Sequence, residues 1–412
     1  MVPNGWKHST FDKHIDCLTG FAFKSSEYSE NSNDIKLLRG DNISPIGLRW
    51  EGVKLWPVEK YDELKTYHLK EGDFVIAMDR TWVSKGLKVA EVKSSDLPCL
   101  LVQRVARIRA KKNLEQALLK QYFSGHRFEQ YVKSVQTATA VPHISPTDIK
   151  EFPFLLPPIP EQKKIAQILS TWDQAITITE QLLANSQQQK KALMQQLLTG
   201  KKRLHDQNGQ PFTDEWKEKS LEDIFSFKKG KGLSKGMVVE SGSNKCVLYG
   251  ELYTKYSEVI SAVISRTESG DGTPSKVGDI LIPSSTTTSG VDLANATAIL
   301  ECDVLLGGDI NILRPKVSMS SVFMAHVLTH IKKHEIASRA QGITIIHLYG
   351  SDLKGLKVQI PPVVEEQQKI AAVLTAADNE IDTLKHKLDH LKQEKKALMQ
   401  QLLTGKRRVL VN

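Results

Sequence analysis

The chain has 412 residues, 40% hydrophobic and 25% charged, the balance of a soluble globular protein of two to four domains; wholesale disorder is excluded. No apolar run approaches the roughly 18 residues that a membrane-spanning helix needs, and Met1 to Lys7 hold no apolar signal core. Lysine and arginine number 56 against 47 acidic residues, and the net charge of +9 permits a polyanionic partner without specifying one.

In chain order, residues 1–155 open with Trp6-Lys7 and hold short apolar runs bounded by glycine that read as strands: Lys36 to Leu38, Phe74 to Ala77, Leu100 to Val102 and Val105 to Ile108. A helix is predicted from Asn113 to Phe123. Residues 156–212 differ in character: Pro157-Pro158 suits a helix entrance, and Gly200, followed by basic residues, suits a helix end. Residues 213–358 reopen with Trp216-Lys217, hold further strand-like runs and predict a helix from Val322 to Ile331. Residues 359–412 bring a second proline pair, Pro361-Pro362, and a second terminal glycine, Gly405.

The two halves repeat. Lys190 to Lys201 returns residue for residue as Lys395 to Lys406, and upstream Ile165-Ala166, Asp173 and Ile176 return as Ile370-Ala371, Asp378 and Ile381. Fainter matches join Leu37-Leu38-Arg39-Gly40 to Val247-Leu248-Tyr249-Gly250, and Gly72 to Ala77 to Gly278 to Pro283. His143 with Asp148 likewise matches His347 with Asp352. The order is variable unit, constant segment, variable unit, constant segment.

Within the second constant segment Ile370, Leu374, Ala377, Ile381, Leu384, Leu388, Leu391, Lys395, Leu398 and Leu402 step by four and three, a heptad seam. The first copy is more polar: Ile165, Leu169, Trp172, Ile176, Thr179, Leu183, Ser186, Lys190, Leu193, Leu197. Such a helix gains most by pairing with its own duplicate. Each helix has about 39 residues and spans about 58 Å at 1.5 Å per residue. The expected fold is α+β: two globular α/β domains separated by two long antiparallel coiled-coil helices, an internal duplication about a pseudo-twofold axis.

Catalytic signatures are missing. An adenine methyltransferase grips a flipped base with an Asn/Asp-Pro-Pro-aromatic loop, but here Leu156 and Ile360 precede the proline pairs. Gly230-Lys231-Gly232 and Thr199-Gly200-Lys201-Lys202 fail the spacing of a phosphate loop. A nuclease centre of Asp73 with Glu91 and Lys93 can be assembled only from triplets that arise by chance in a lysine-rich chain. His143 and His347 lack a nucleophile or metal partner and read as packing and capping residues. Cys17, Cys99, Cys246 and Cys302 lie far apart with no Cys-x-x-Cys pair, so neither a zinc site nor a disulfide framework is expected, and a reducing cytoplasm is. No catalytic residue and no metal ligand is assigned.

Side chains able to read base edges or hold phosphates cluster in loops after matched strands. In the first unit these are Arg39 and Asn42, then Arg80, Trp82 and Lys85; in the second they are Tyr249, then Ser284, Thr286 and Thr287, with Arg339 and Gln341 further on. Matched positions hold different chemistry, as two readers of different sequences would.

The frame as a whole, with Leu156-Pro157-Pro158-Ile159-Pro160-Glu161-Gln162-Lys163-Lys164-Ile165-Ala166 leading to a long helix that ends Leu197-Leu198-Thr199-Gly200-Lys201, all repeated, resembles the DNA-specificity (S) subunit of type I restriction–modification systems, which act in phage defence. The second entrance departs by one extra residue before Glu366-Gln367. The resemblance implies target-recognition domains at 1–155 and 213–358, each reading half of a split, asymmetric site on double-stranded DNA. It implies conserved helical spacers at 156–212 and 359–412 that set the unread distance and dock two modification (methyltransferase) subunits, and through them restriction (translocase/nuclease) subunits. Docking candidates are Ile165, Leu169, Trp172, Leu193, Leu197, Ile370, Leu374, Leu398 and Leu402. The chain itself is expected to be non-catalytic and to bind no cofactor, with S-adenosylmethionine, ATP and Mg2+ on the partners. The rival readings are a self-contained DNA methyltransferase or nuclease, and a coiled-coil structural scaffold.

Overall fold

The computed structural model describes residues 2–84, 86–138 and 140–411. Two compact units form, Met1–Glu180 with His386–Asn412 and Gln181–Lys385. The unit boundaries, after Glu180 and after Lys385, fall within the two long helices. Each long helix is shared between the units, because its apolar residues enter both cores.

In the first unit the run Phe74–Ala77 is buried at every position, as a strand covered on both faces must be. It lies inside a four-stranded antiparallel sheet, in the order Val89–Glu91, Phe74–Ala77, Val105–Ala110, Ile15–Thr19. A second sheet pairs Cys99–Leu101 parallel to Ile35–Leu38, with Lys54–Trp56 antiparallel at the edge. Lys7–Thr10 pairs with Pro153–Leu156 and brings the chain to the helix entrance. The core centres on Phe11, whose ring lies 4.8 to 6.1 Å from those of Phe154, Phe152, Phe123 and Tyr122.

The second unit repeats this topology. Phe225–Lys229, Ile310–Pro315, Asp279–Pro283 and Thr297–Ile299 form the matching antiparallel sheet, extended by Val259–Ile260. Asn244–Val247 runs parallel to Leu305–Leu306, and Lys217–Ser220 pairs with Lys357–Ile360. Even a buried ion pair recurs: Arg109 grips Asp73 in the first unit, and Arg314 grips Asp279 in the second with Nη2 to Oδ2 at 2.6 Å. The predicted helix at 322–331 divides, with an α-helix over Ser321–His326 followed by a π-helical turn over Val327–Ile331.

The long helices span Ile159–Leu197 and Val364–Leu402, 39 residues each. No position of either predicted heptad seam is exposed. Within the first unit Asp173 accepts from Lys395 at 2.6 Å and Glu180 pairs with Lys392 at 2.7 Å; within the second, Lys190 pairs with Asp378 and Ser186 Oγ donates to Glu380 at 3.1 Å. As the number on one helix rises, its partner's falls, so the segments pair antiparallel. Asp173–Lys395 and Asp378–Lys190 are duplicates of one another, one in each unit. The polar seam residues of the first copy are thus matched rather than orphaned, since a buried charge is tolerated when paired.

The same economy explains the entrance motif. Glu161 and Glu366 are buried, and each accepts from an arginine beyond the opposite helix's terminal glycine: Arg408 Nε at 2.8 Å and Arg203 Nη2 at 2.8 Å. Gln162 and Gln367 cap the entrances, donating to Pro157 O at 2.9 Å and Pro361 O at 2.8 Å while accepting from the amides of Glu115 and Ser320. Gly200 and Gly405 adopt φ of +69° and +68°, and a Cβ on Gly405 would lie 2.4 Å from Pro3 Cγ.

Candidate nucleic-acid interface

In the first unit the turn after strand Ile35–Leu38 places Arg39 at the edge of an open cleft of about 340 Å³, lined also by Tyr28, Asp41, Asp79, Arg80, Lys88 and Arg104. Arg80 and Arg104 stand at positive φ, +47° and +66°, which turns both exposed side chains out of their strands. A second cleft shares Arg39 and Asp41 and adds Arg49 and Lys54. Burial lowers the Lys88 ammonium below the usual lysine range; Asp41 opposes this, and Arg49 and Arg80 add to it. Four cationic side chains, Arg39, Arg80, Lys88 and Arg104, thus share one cleft with two carboxylates, Asp41 and Asp79. Asp79 steadies it, 3.6 Å from Arg104 Nη1 and 2.6 Å from His143 Nδ1.

The matched loop of the second unit lines a different cleft, about 820 Å³, with Tyr249, Lys235, Thr254, Lys255, Glu251 and Asp309 at its wall. Tyr249 lies 6.5 Å from Tyr253, ring to ring, a polar and aromatic surface rather than a cationic one. Elsewhere in the second unit Thr287 is exposed, and the tip after Gln341 leaves Ile343 fully exposed.

Several predicted readers are otherwise engaged. Asn42 lines the second cleft but is 6% exposed: its Oδ1 accepts from the Arg39 amide at 2.9 Å and its Nδ2 donates to Arg49 O at 3.1 Å, so its amide builds the turn that aims Arg39. Trp82 donates to Glu129 at 3.2 Å beneath Lys133 and anchors the strand pair Trp82–Val83 with Gly86–Leu87. Lys85 lies outside the described residues. Ser284 and Thr286 are buried, Ser284 inside the backbone network and Thr286 bonded to Thr288; Arg339 donates to Asp352 O at 2.6 Å. Arg39, Arg80, Tyr249, Thr287 and Gln341 stay accessible. The sequence reading missed Arg49, Lys88 and Arg104, although Gln103-Arg104 is a polar interruption between two apolar strands and could have been noticed.

The docking residues need a similar correction. Ile165, Leu169 and Leu402 are buried in the first unit's core, and Leu197, Ile370 and Leu374 in the second's, with Trp172, Leu193 and Leu398 half-buried. They anchor the two ends of each helix in different cores, because an apolar stripe at heptad spacing serves the nearest core first. Among the described residues of these helices, Ile178 and Leu182 are the exposed large aliphatics, 56% and 48%.

The carboxylates of the assembled nuclease reading have local partners. Asp73 is held by Arg109, and Glu91 pairs with Lys120 at 2.8 Å. The matched histidines have local duties: His143 bonds Asp79, and His347 stacks on Tyr349. Asp148 and Asp352 cap short helices by accepting from the amides of Ser145 and Tyr349.

The profile described as the type I restriction modification DNA specificity domain matches residues 17–185 and again 213–393, one match to each duplicated half. The chain belongs to this family. It is 29% identical over 208 residues to the type I restriction enzyme MjaVIII specificity subunit of Methanocaldococcus jannaschii, covering 50% of this chain and 48% of that one. It is 32% identical over 182 residues to the type I restriction enzyme EcoAI specificity subunit of Escherichia coli, covering 44% of this chain and 30% of that one. The matched stretches thus span about half or less of these curated relatives. Among solved structures, the type I restriction-modification system S subunit from M. genitalium matches with a TM-score of 0.61 at 17% identity, covering 98% of both chains, a likeness of fold. Among the described residues no helix is long and apolar enough to cross a membrane.

Proposed function

We propose that the chain is the non-catalytic DNA-specificity subunit of a type I restriction–modification enzyme, each specificity domain reading one half of a bipartite, asymmetric site. The observation that carries this is the pair of matched loops: Arg39 and Tyr249 follow equivalent strands, each lines an open cleft, and the two clefts differ in chemistry. Duplicated frames with unlike tips suit two half-sites of unlike sequence. One domain reading a few base pairs is unselective in a genome, whereas two linked domains combine their discrimination at about 1–3 kcal/mol per mismatched pair.

On this reading the paired helices set the length of the unread spacer and dock two methyltransferase subunits, through which restriction subunits join. S-adenosylmethionine, ATP and Mg2+ belong to those partners. The test is site selection from a randomised duplex library by the chain with its methyltransferase subunit. Arg80→Ala with Lys88→Ala is expected to relax one half-site, leave the other intact and lower the salt dependence of binding by about one unit per lost phosphate contact. Equal relaxation of both halves would refute modular reading.

A further inference from the structure

Glu258, His326 and His330 lie together in the second unit, outside the clefts described above, with one ligand atom from each within 4.8 Å of the others. His326 closes the α-helix Ser321–His326 and His330 sits in the π-helical turn Val327–Ile331, so the two imidazoles project from one helical face, 5.9 Å apart and 21° from parallel. Paired histidines four positions apart are a geometry that grips a divalent ion, and π-turns recur at functional sites. Glu258 stands just before strand Val259–Ile260, and its Oε1 lies 2.6 Å from His330 Nε2.

Two observations set this cluster apart from a structural ion pair. His326 is 1% exposed, yet neither of its ring nitrogens has a hydrogen-bond partner among the described residues. Buried polar atoms are rarely left so, and a pair on one ring needs an explanation. The duplication supplies an internal comparison as well. The position matching His326 in the first unit is Gln121, whose Nε2 donates to Asp173 at 2.7 Å beside Lys395. The position matching His330 is Gly125. The second unit keeps the lysine–aspartate pair, Lys190 with Asp378, but exchanges the glutamine for an imidazole and adds His330 and Glu258. Lys190 pairs with Asp378 and its Nζ also lies 3.9 Å from Glu258 Oε2, so one lysine faces two carboxylates and the neighbourhood carries one negative charge in excess when both imidazoles are neutral.

We propose that Glu258, His326 and His330 form a zinc-class divalent metal site, with two imidazole nitrogens and one carboxylate oxygen as protein ligands and water in the remaining position. Two histidines and a glutamate are a donor set that zinc accepts. Binding exchanges the His330–Glu258 hydrogen bond for bonds from both groups to the ion, and the proton of that hydrogen bond moves to the ring's other nitrogen or to solvent. The ion would tie the helix at 321–331 to the strand at 259–260.

The inference is independent of the DNA-specificity reading. The test uses the full chain, stripped with a chelator and dialysed against ZnCl2 or CoCl2. One ion per chain is expected, with a rise in melting temperature on zinc and visible absorption bands of low-coordinate cobalt. His326→Gln, which installs the first unit's residue, is expected to fold with unchanged metal-free melting temperature and to lose the ion; His330→Gln is expected to lose it too. Cys302→Ser is expected to retain it, which separates this site from adventitious thiol binding. Wild-type protein that takes up no ion, or variants that bind as well as wild type, would overturn the proposal.

Discussion

Trp6 and Trp216 hold matching places in the two halves but not matching bonds. Trp6 Nε1 donates to Glu161 at 3.1 Å, while Trp216 Nε1 is buried without a partner among the described residues. Hydrogen bonds to charged groups are worth about 1.5–3 kcal/mol, so Trp6→Phe is expected to destabilise by about that amount and Trp216→Phe by clearly less. Equilibrium denaturation of the two variants checks this, and equal losses would show that the glutamate bond contributes little. The cysteines allow a second comparison. Burial pushes the Cys17 thiol up to about 11 and the Cys99 thiol up to about 12, whereas Cys302 is exposed. Cys302 is also raised, first by its hydrogen bond with Asp303, but reagent can reach it. Thiol titration of native protein at pH 8 is expected to find Cys302 first and Cys99 only after unfolding; fast labelling of Cys99 would contradict its burial. The residue scale is also where the sequence was least legible. Asn42 has the right functional groups to read a base, and only the turn around it shows that both ends of its amide are already bonded.

At the scale of elements, the entrance motif and the tail beyond each terminal glycine form one device. Glu366 is 0% exposed, so removing its arginine leaves a buried carboxylate uncompensated. Arg203→Ala is expected to cost about 3 kcal/mol, and adding Glu366→Gln to that variant is expected to recover much of it. Denaturant midpoints decide this, and a double variant no better than the single one would show that packing, not charge, is lost. The helices themselves were legible because repeats and heptads are local patterns: 39 residues were expected and 39 are present in each. What the pattern could not tell is which surface each apolar stripe faces. Ile165 and Ile370 answer to domain cores, a long-range packing outcome that heptad spacing alone does not reveal.

For the whole molecule, the family match and the duplicated topology make the spacer the most direct object of experiment. Ser186 faces Glu380 on the paired helix. Inserting one heptad after each of these residues keeps the seam in phase on both helices and adds about 10 Å of rise. At about 3.4 Å per base pair this is expected to lengthen the unread gap by about three base pairs. Methylome sequencing of cells carrying the variant with its partner subunits reads the gap, and an unchanged length would end the ruler interpretation.

The sequence by itself determined the duplication, the two long helices and the family, since identity at a fixed offset, heptad spacing and the Pro-Pro-x-x-Glu-Gln entrance are written in neighbouring residues. It also placed strand Phe74–Ala77 at its true bounds, because a fully buried strand is an uninterrupted apolar run. Only the tertiary structure decided which polar residues remain free. Arg39, Arg80, Lys88 and Arg104 meet in one cleft although they come from separate loops, and Glu258 meets His330 across 72 residues of chain. Burial and hydrogen bonding depend on what the fold brings alongside, and no local pattern carries that information.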